Sequence, residues 1–150
     1  MSTKEHGIPE LPMKILIPVD GSESSSRAID YALLLAKKLQ ASVVFVHVIE
    51  FPSISSRYAL ATELQEEVRR EGVKLLKDSL AMAVSAGVVS AKEVLVYGDP
   101  ADMILSILKQ ESCDSIVLGK RGLGRLDRLL MGSVSDKVTK LANVPVTIVR

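Results

Sequence analysis

The residues best suited to chemistry are small or hydroxyl-bearing, and they cluster in one stretch late in the chain. They are Gly119, Gly122, Gly124, Gly132, Ser133 and Ser135. Glycines lack a Cβ atom, so the backbone amides around them can approach a bulky anion closely. Gly132 and Ser133 directly precede a predicted helix, whose unpaired amides and dipole favour a phosphate at that end. The Ser133 and Ser135 hydroxyls would add donors, and the stretch therefore predicts an anion site.

Four cations lie in the same stretch: Lys120, Arg121, Arg125 and Arg128. Only Asp127 offsets them, whereas the whole chain carries a formal net charge of +1. The positive charge is thus gathered locally. The alternative is a surface loop with solvated cations, in which Ser133 only caps its helix and pairs with Asp136. We favour the anion site, although composition and spacing do not identify the anion.

The elements that position this stretch alternate between short apolar runs and amphipathic segments. The predicted strands are Met13–Val19, Ser42–Ile49, Lys92–Tyr97, Asp114–Leu118 and Val144–Val149. The predicted helices are Ser22–Leu39, about Leu60 to Ala86, a segment that starts at Pro100 with Asp99 as its cap, and Ser133–Ala142. This alternation predicts a single three-layer α/β domain with a five-stranded parallel sheet. Residues 1–12 are expected to be a flexible lead-in to a domain of residues 13–150.

Ligands of open parallel sheets bind beyond the carboxyl ends of the strands, where the strand order reverses. The first predicted strand ends at Pro18, Val19 and Asp20, and the fourth runs into Gly119. Asp20 either contacts the ligand or forms a capping box with Glu23 at the start of the first helix. In the last strand a proline, Pro145, removes one ladder donor, which predicts a position at a sheet edge.

Composition narrows the remaining classes of function. The length of 150 residues suits one domain, and 47% hydrophobic with 25% charged residues is typical of a soluble protein. The near-neutral charge and the absence of Trp, with only two Phe and three Tyr, argue against nucleic-acid binding. No apolar run is long enough to cross a bilayer, and Met1–Pro12 lacks the apolar centre of a secretion signal. We therefore expect a cytoplasmic protein without a membrane partner.

The residues that commonly bind metals or attack substrates are scarce. The single Cys113 cannot close an internal disulfide, and with two histidines the chain does not suggest a zinc site. Cys113 is expected to be a small residue near the core. His47 lies among valines in a predicted strand, which favours a packed, hydrogen-bonded side chain over a catalytic one. No catalytic residue is predicted.

The spacing of the glycines resembles that of a known family. Gly119-x2-Gly122-x9-Gly132-Ser133 matches the G-x2-G-x9-G-[S/T] signature of ATP-binding universal stress proteins. The resemblance extends from Met13 to Val149. It includes Ile17–Ser22, His47-Val48, Gly98–Pro100 and Val144–Val146. The resemblance implies a Rossmann-like nucleotide-binding fold of the adenine nucleotide alpha hydrolase-like type.

The resemblance also implies a set of binding residues and partners. Pro18, Asp20 and Val48 correspond to the adenosine end, with the Val48 backbone at the adenine edge. Gly119, Gly122, Gly132 and Ser133 match the phosphate loop, flanked by Leu118, Lys120, Arg121, Val134 and Ser135. The expected ligand is ATP, or ADP or AMP, with Mg²⁺ or Mn²⁺ held through the phosphates. A homodimer along the last strand and an unknown downstream protein partner are also implied.

Three alternatives compete with an ATP-binding stress-response module. A slow ATPase or nucleotidyl transferase fits the fold class, yet the chain lacks G-x4-GK[S/T] and His-rich transferase motifs. A phospho-acceptor receiver domain requires a Lys at the end of the last strand, where Thr147-Ile148-Val149 supplies none. A protein-interaction module without nucleotide remains open, and the complete signature argues against it.

Overall fold

The computed structural model describes residues 13–50, 62–121 and 130–150. Within these ranges strands and helices alternate in the predicted order. They are β1 (Lys14–Pro18), α1 (Glu23–Leu39), β2 (Ser42–Ile49), α2 (Thr62–Ser85), β3 (Ala91–Tyr97), α3 (Pro100–Gln110), β4 (Ser115–Gly119), α4 (Ser133–Leu141) and β5 (Val146–Val149). The predictions for Met1–Pro12, Gly122, Gly124, Arg125, Asp127 and Arg128 lie outside the described residues.

The five strands pair in parallel in the order β3-β2-β1-β4-β5. Because β1 lies between β2 and β4, the strand order reverses at the β1–β4 boundary. That seam is short: only Ile15↔Ser115 and Leu16↔Ile116 are paired across it. β5 lies at a sheet edge, as Pro145 predicted, although it begins at Val146 rather than Val144. The Pro145 carbonyl still accepts a hydrogen bond from Ile116 N–H at 3.1 Å.

Helices cover both faces of the sheet, which confirms the three-layer prediction. Alternate residues of β1 point to opposite faces: Ile15 and Ile17 pack with α1 and α2, and Leu16 packs with α3 and α4. All three side chains are almost fully buried, as expected for a central parallel strand. Burial of each contributes about 1.5–3 kcal/mol to folding. The two apolar layers hold β1 and β4 rigidly beneath the edge where their carboxyl ends meet.

The start of α1 differs from the predicted capping box. Ser22 is the N-cap, and its Oγ accepts a hydrogen bond from Ser25 N–H at 3.1 Å. Gly21 has a φ of 81° and turns the chain between Asp20 and the helix, so Asp20 cannot reach the capping position. The Asp20 carboxylate instead accepts the Ser22 N–H at 2.9 Å. The Asp20–Glu23 capping box was therefore wrong.

The start of α4 also differs from the capping alternative. Gly132 is the N-cap, and among the described residues no side-chain hydrogen bond caps this helix. Ser133 is already the first helical residue, so the proposed pairing of a Ser133 cap with Asp136 was wrong. Asp136 instead pairs with Lys140 on the next turn at 2.8 Å.

Candidate functional site

A cleft of about 620 Å³ opens above the carboxyl ends of β1, β2 and β4. We call it the switch-point cleft, because it lies where the strand order reverses. Its volume falls within the range of small-molecule sites, and its position is the one expected for ligands of open α/β sheets. Its lining includes ten of the predicted site residues: Pro18, Asp20, Val48, Leu118, Gly119, Arg121, Gly132, Ser133, Val134 and Ser135.

One wall of the switch-point cleft is the beginning of α4. Asp136 N–H makes the first helical bond, to Gly132 O at 2.9 Å, so the three preceding amides point out of the helix end. These amides belong to Ser133, Val134 and Ser135. No capping side chain within the described residues satisfies them. This wall therefore offers backbone donors and the positive end of a helix dipole.

The Ser135 hydroxyl, which was predicted to be a donor to the anion, makes a hydrogen bond within the protein. This hydroxyl donates to the Gly119 carbonyl at 2.6 Å, and the side chain is buried. A hydroxyl has one proton, so this bond uses its donor capacity within the protein. Ser135 thus fixes α4 to the end of β4, whereas Ser133 is exposed.

Close packing requires a glycine at position 119. A Cβ at this position would lie 2.7 Å from the Ser24 carbonyl carbon and 2.8 Å from Ser25 N. Both contacts are shorter than van der Waals contact allows and involve backbone, which cannot move aside cheaply. The absent side chain lets the end of β4 touch the first turn of α1, and so brings two walls of the cleft together.

Buried serines of α1 hold the segment that follows β4. Ser22 Oγ donates to Arg121 O at 3.3 Å, and Arg121 N–H donates to Ser24 Oγ at 3.4 Å. Ser24 Oγ also donates to Val149 O at 3.2 Å. These bonds fix the main chain of Arg121, which lines the cleft.

The opposite wall is the end of β2, where main-chain groups face the cleft. The last hydrogen bond between β1 and β2 runs from Val19 N–H to Val46 O at 2.8 Å. Backbone groups of a strand point alternately to its two neighbours, so those of Val46 and Val48 both face the β1 side. β1 has already ended at Val48. The Val48 N–H and C=O therefore face the cleft as an adjacent donor and acceptor.

The family of the chain follows from comparison with known proteins. The model of the Universal stress protein family matches residues 13–150. The chain belongs to this family. It is 35% identical over 146 residues to Universal stress protein YxiE of Bacillus subtilis, which covers 91% of this chain and 98% of the relative.

Solved universal stress protein structures share the fold. Universal stress protein UspA from Lactobacillus plantarum superimposes with a TM-score of 0.82 at 25% identity, over 92% of this chain and 97% of that one. A universal stress protein in complex with cAMP superimposes with a TM-score of 0.71 at 25% identity, over 92% and 97% of the two chains.

One predicted binding residue of this universal stress protein does not join the described lining. Lys120 is absent from it, and its main chain instead links two elements: N–H donates to Val149 O at 2.7 Å, and C=O accepts from Gly132 N–H at 2.8 Å. Gly122 lies outside the described residues.

Other lining residues of this universal stress protein were missed from the sequence. Ile49 and Glu50 extend the β2 wall, and Ser25, Val68 and Pro100 come from three helices. The end of β2 could have been included, because β2 neighbours β1 in the predicted sheet. Nothing in the sequence pattern marks Val68, which enters the cleft through the path of α2.

Within the described ranges, no helix of this universal stress protein combines the length and apolar character needed to cross a bilayer.

Proposed function

We propose that the chain binds ATP in the switch-point cleft and acts as a nucleotide-dependent regulatory module. The observation that carries this proposal is the adjacent Val48 N–H and C=O, which face a cleft whose other wall is the uncapped start of α4. An adenine offers the matching pair: N1 accepts and the 6-amino group donates. Pro18, the last residue of β1, also lines the cleft and provides an apolar surface for the base.

The opposite wall suits the phosphates. The α4 amides and the Ser133 hydroxyl offer donors at the start of this helix, and Arg121 adds a positive charge to the cleft lining. A polyphosphate reaching from the adenosine to this wall would meet each of them. A universal stress protein of the same fold has been solved in complex with cAMP, which supports an adenine nucleotide as the class of ligand.

The proposed metal, Mg²⁺ or Mn²⁺, would be bound largely by the ligand. The described residues contain no group of three or more His, Cys, Asp or Glu side chains placed to hold an ion. Asp20 and Glu50 are the acidic residues of the lining. Hard cations of this type accept phosphate oxygens and water with one or two carboxylates.

The decisive measurement is equilibrium binding of ATP, GTP and tripolyphosphate to the purified protein by calorimetry. We expect ATP to bind more tightly than GTP, and Arg121→Met to weaken ATP about tenfold, as for loss of one charge-assisted hydrogen bond. Lys109→Met is the matched control, because Lys109 lies outside the cleft lining. The proposal would be rejected if the unmodified protein bound no ATP at millimolar ATP concentration.

We also propose that β5 mediates a homodimer in the cytoplasm. β5 is an edge strand whose odd-numbered residues bond to β4, through Pro145 O and Val149 O. The backbone groups of Val146 and Ile148 therefore face outward, ready to pair with a second copy.

A further inference from the structure

We propose that His47 is a positioning residue that keeps the Val48 backbone available for adenine, by taking the Val19 carbonyl away from β2. This inference rests on the proposed function. The imidazole Nδ1 lies 2.7 Å from Val19 O. A carbonyl only accepts, so Nδ1 carries the proton and donates.

The alternation of hydrogen bonds along β2 shows what this contact prevents. Ser42 N–H donates to Met13 O on the β1 side, and Val43 N–H donates to Ser90 O on the β3 side. Even-numbered residues of β2 thus face β1. If the β1–β2 ladder continued by one step, Val48 N–H would donate to Val19 O.

That step is missing from the described backbone hydrogen bonds. Val19 N–H still donates to Val46 O, so the chain is in register up to this residue. The Val19 carbonyl then turns out of the sheet toward the face covered by α1 and α2, where the His47 side chain lies. The chain leaves β1 there for Asp20, Gly21 and the first turn of α1. The cost of breaking the ladder is offset because Val19 O keeps a donor.

The His47 ring is itself held in place by close packing. A Cβ at Gly72 of α2 would lie 2.8 Å from His47 Cδ2 and 3.3 Å from Nε2, and Leu95 of β3 packs on the same spot. Only a glycine lets α2 approach the ring this closely. The ring therefore cannot tilt toward α2, and Nδ1 stays directed at Val19 O.

The consequence is specific to the base. With His47 in place, the Val48 N–H and C=O face the cleft. Without the His47 donor, Val19 O is free to accept a hydrogen bond from Val48 N–H. The Val48 N–H would then no longer be available to the adenine. The phosphate wall at α4 is built from other contacts and is unaffected. His47 therefore governs adenine recognition and leaves polyphosphate binding unchanged.

Two substitutions separate this role from simple packing. His47→Asn places an amide N–H where Nδ1 stood, whereas His47→Leu fills more of the space with no donor. We expect His47→Leu to weaken ATP about tenfold and to abolish its advantage over GTP. His47→Asn should stay within about twofold of the unmodified protein for both. Tripolyphosphate should bind equally to all three.

Amide hydrogen exchange measured by NMR shows directly whether the Val48 N–H is hydrogen-bonded in the β1–β2 ladder. In the ligand-free protein we expect the Val48 amide to exchange rapidly, and ATP to protect it. In ligand-free His47→Leu, the Val48 amide should become protected, because it now donates to Val19 O. A role limited to packing would lower protection in both variants and would follow their stability.

Each outcome is decisive. Any of three results would overturn the inference. His47→Leu could keep its preference for ATP, or His47→Leu and His47→Asn could lose ATP affinity in parallel. The Val48 amide could also exchange at an unchanged rate in His47→Leu. If His47→Leu fails to fold, Gly72→Ala supplies the same test, because its methyl displaces the ring. If the unmodified protein binds no ATP, the proposed function fails, and Val48 exchange still decides whether His47 controls the ladder.

Discussion

Asp20 shows how a carboxylate is released for binding at the scale of one residue. The neighbouring Ser22 caps α1, so the helix does not depend on Asp20. The Asp20 carboxylate accepts a hydrogen bond from Ser22 N–H, and the Asp20 backbone N–H donates to Ser25 Oγ at 3.3 Å. A carboxylate has further acceptor sites, and Asp20 lines the cleft. The side chain is therefore fixed in direction and still has capacity to accept.

Substitutions of Asp20 and Ser22 should have separable effects. Asp20→Ala should weaken ATP about tenfold through loss of one ligand contact. Ser22→Ala should lower the free energy of unfolding by about 1 kcal/mol through loss of the cap. Calorimetric binding and urea unfolding of both variants measure the two quantities. An Asp20→Ala protein with unchanged ATP affinity would show that Asp20 only organises the turn.

Gly119 should be intolerant of any side chain. Gly119→Ala places a Cβ against the backbone of Ser24 and Ser25, and overpacking of this kind costs about 1–3 kcal/mol. Gly87→Ala is the control: its φ is 76°, and the nearest atom to a Cβ there is Lys37 Cε at 4.0 Å. The control should cost about 1 kcal/mol from backbone strain alone. Equal losses in urea unfolding would contradict the steric explanation.

At the scale of elements, α3 and α4 are linked beside the cleft by one cation. Lys137 of α4 lies 2.7 Å from the Asp102 carboxylate and 3.8 Å from that of Asp99, the N-cap of α3. The hydrogen bond to Asp102 raises the pKa of Lys137 above its usual 10.5. Both helices begin at the cleft, so this link fixes the spacing of Pro100 and the α4 amides.

The pH dependence of this link has a definite sign. Because the folded-state pKa of Lys137 is raised, its stabilisation is complete below pH 10.5 and disappears as the pH rises through the folded value. Lys137→Met should therefore melt below the unmodified protein at neutral pH, and the difference should vanish in strong alkali. The effect is small, because the pair is exposed. Lys140→Met, which breaks a pair within α4, is the control.

The secondary-structure elements were predictable where the burial of their side chains produces a recognisable apolar pattern in the sequence. β1 and β4 are buried on both faces, so each is a continuous apolar run that marks a strand and its end. Placement of Asp20 and Gly119 at one cleft followed from those ends. The capping of α1 by Ser22 did not follow, because it depends on the φ of Gly21. The Val19 partner of His47 and the Gly119 partner of Ser135 are tertiary contacts that leave no local pattern.

At the scale of the whole molecule, the outer edge of β5 is the surface through which we propose that two copies pair. Ile148 N–H faces outward, whereas the groups of Thr147 face β4. A homodimer that pairs two β5 edges needs the outward groups and leaves the β4 pairing intact.

Proline substitutions distinguish the two sides of β5. Ile148→Pro removes an outward donor, so we expect a folded monomer near 16.2 kDa by light scattering, in place of a dimer. Thr147→Pro removes a donor on the β4 side and should destabilise the fold itself, by roughly 3 kcal/mol or less. An unmodified protein with the mass of one chain at working concentration would contradict the β5 homodimer.

The short pairing between β1 and β4 divides the sheet into two leaves. Two residue pairs join them, against five between β1 and β2 and seven between β2 and β3. The proposed nucleotide would touch Val48 on one leaf and α4 on the other. It would therefore link the two leaves across the β1–β4 joint, where the fewest residues pair. Occupancy then changes the mechanical stiffness of the protein without reshaping it. We expect single-molecule pulling across this joint to require more force with ATP bound, which would give a partner a way to sense the nucleotide from a surface remote from it.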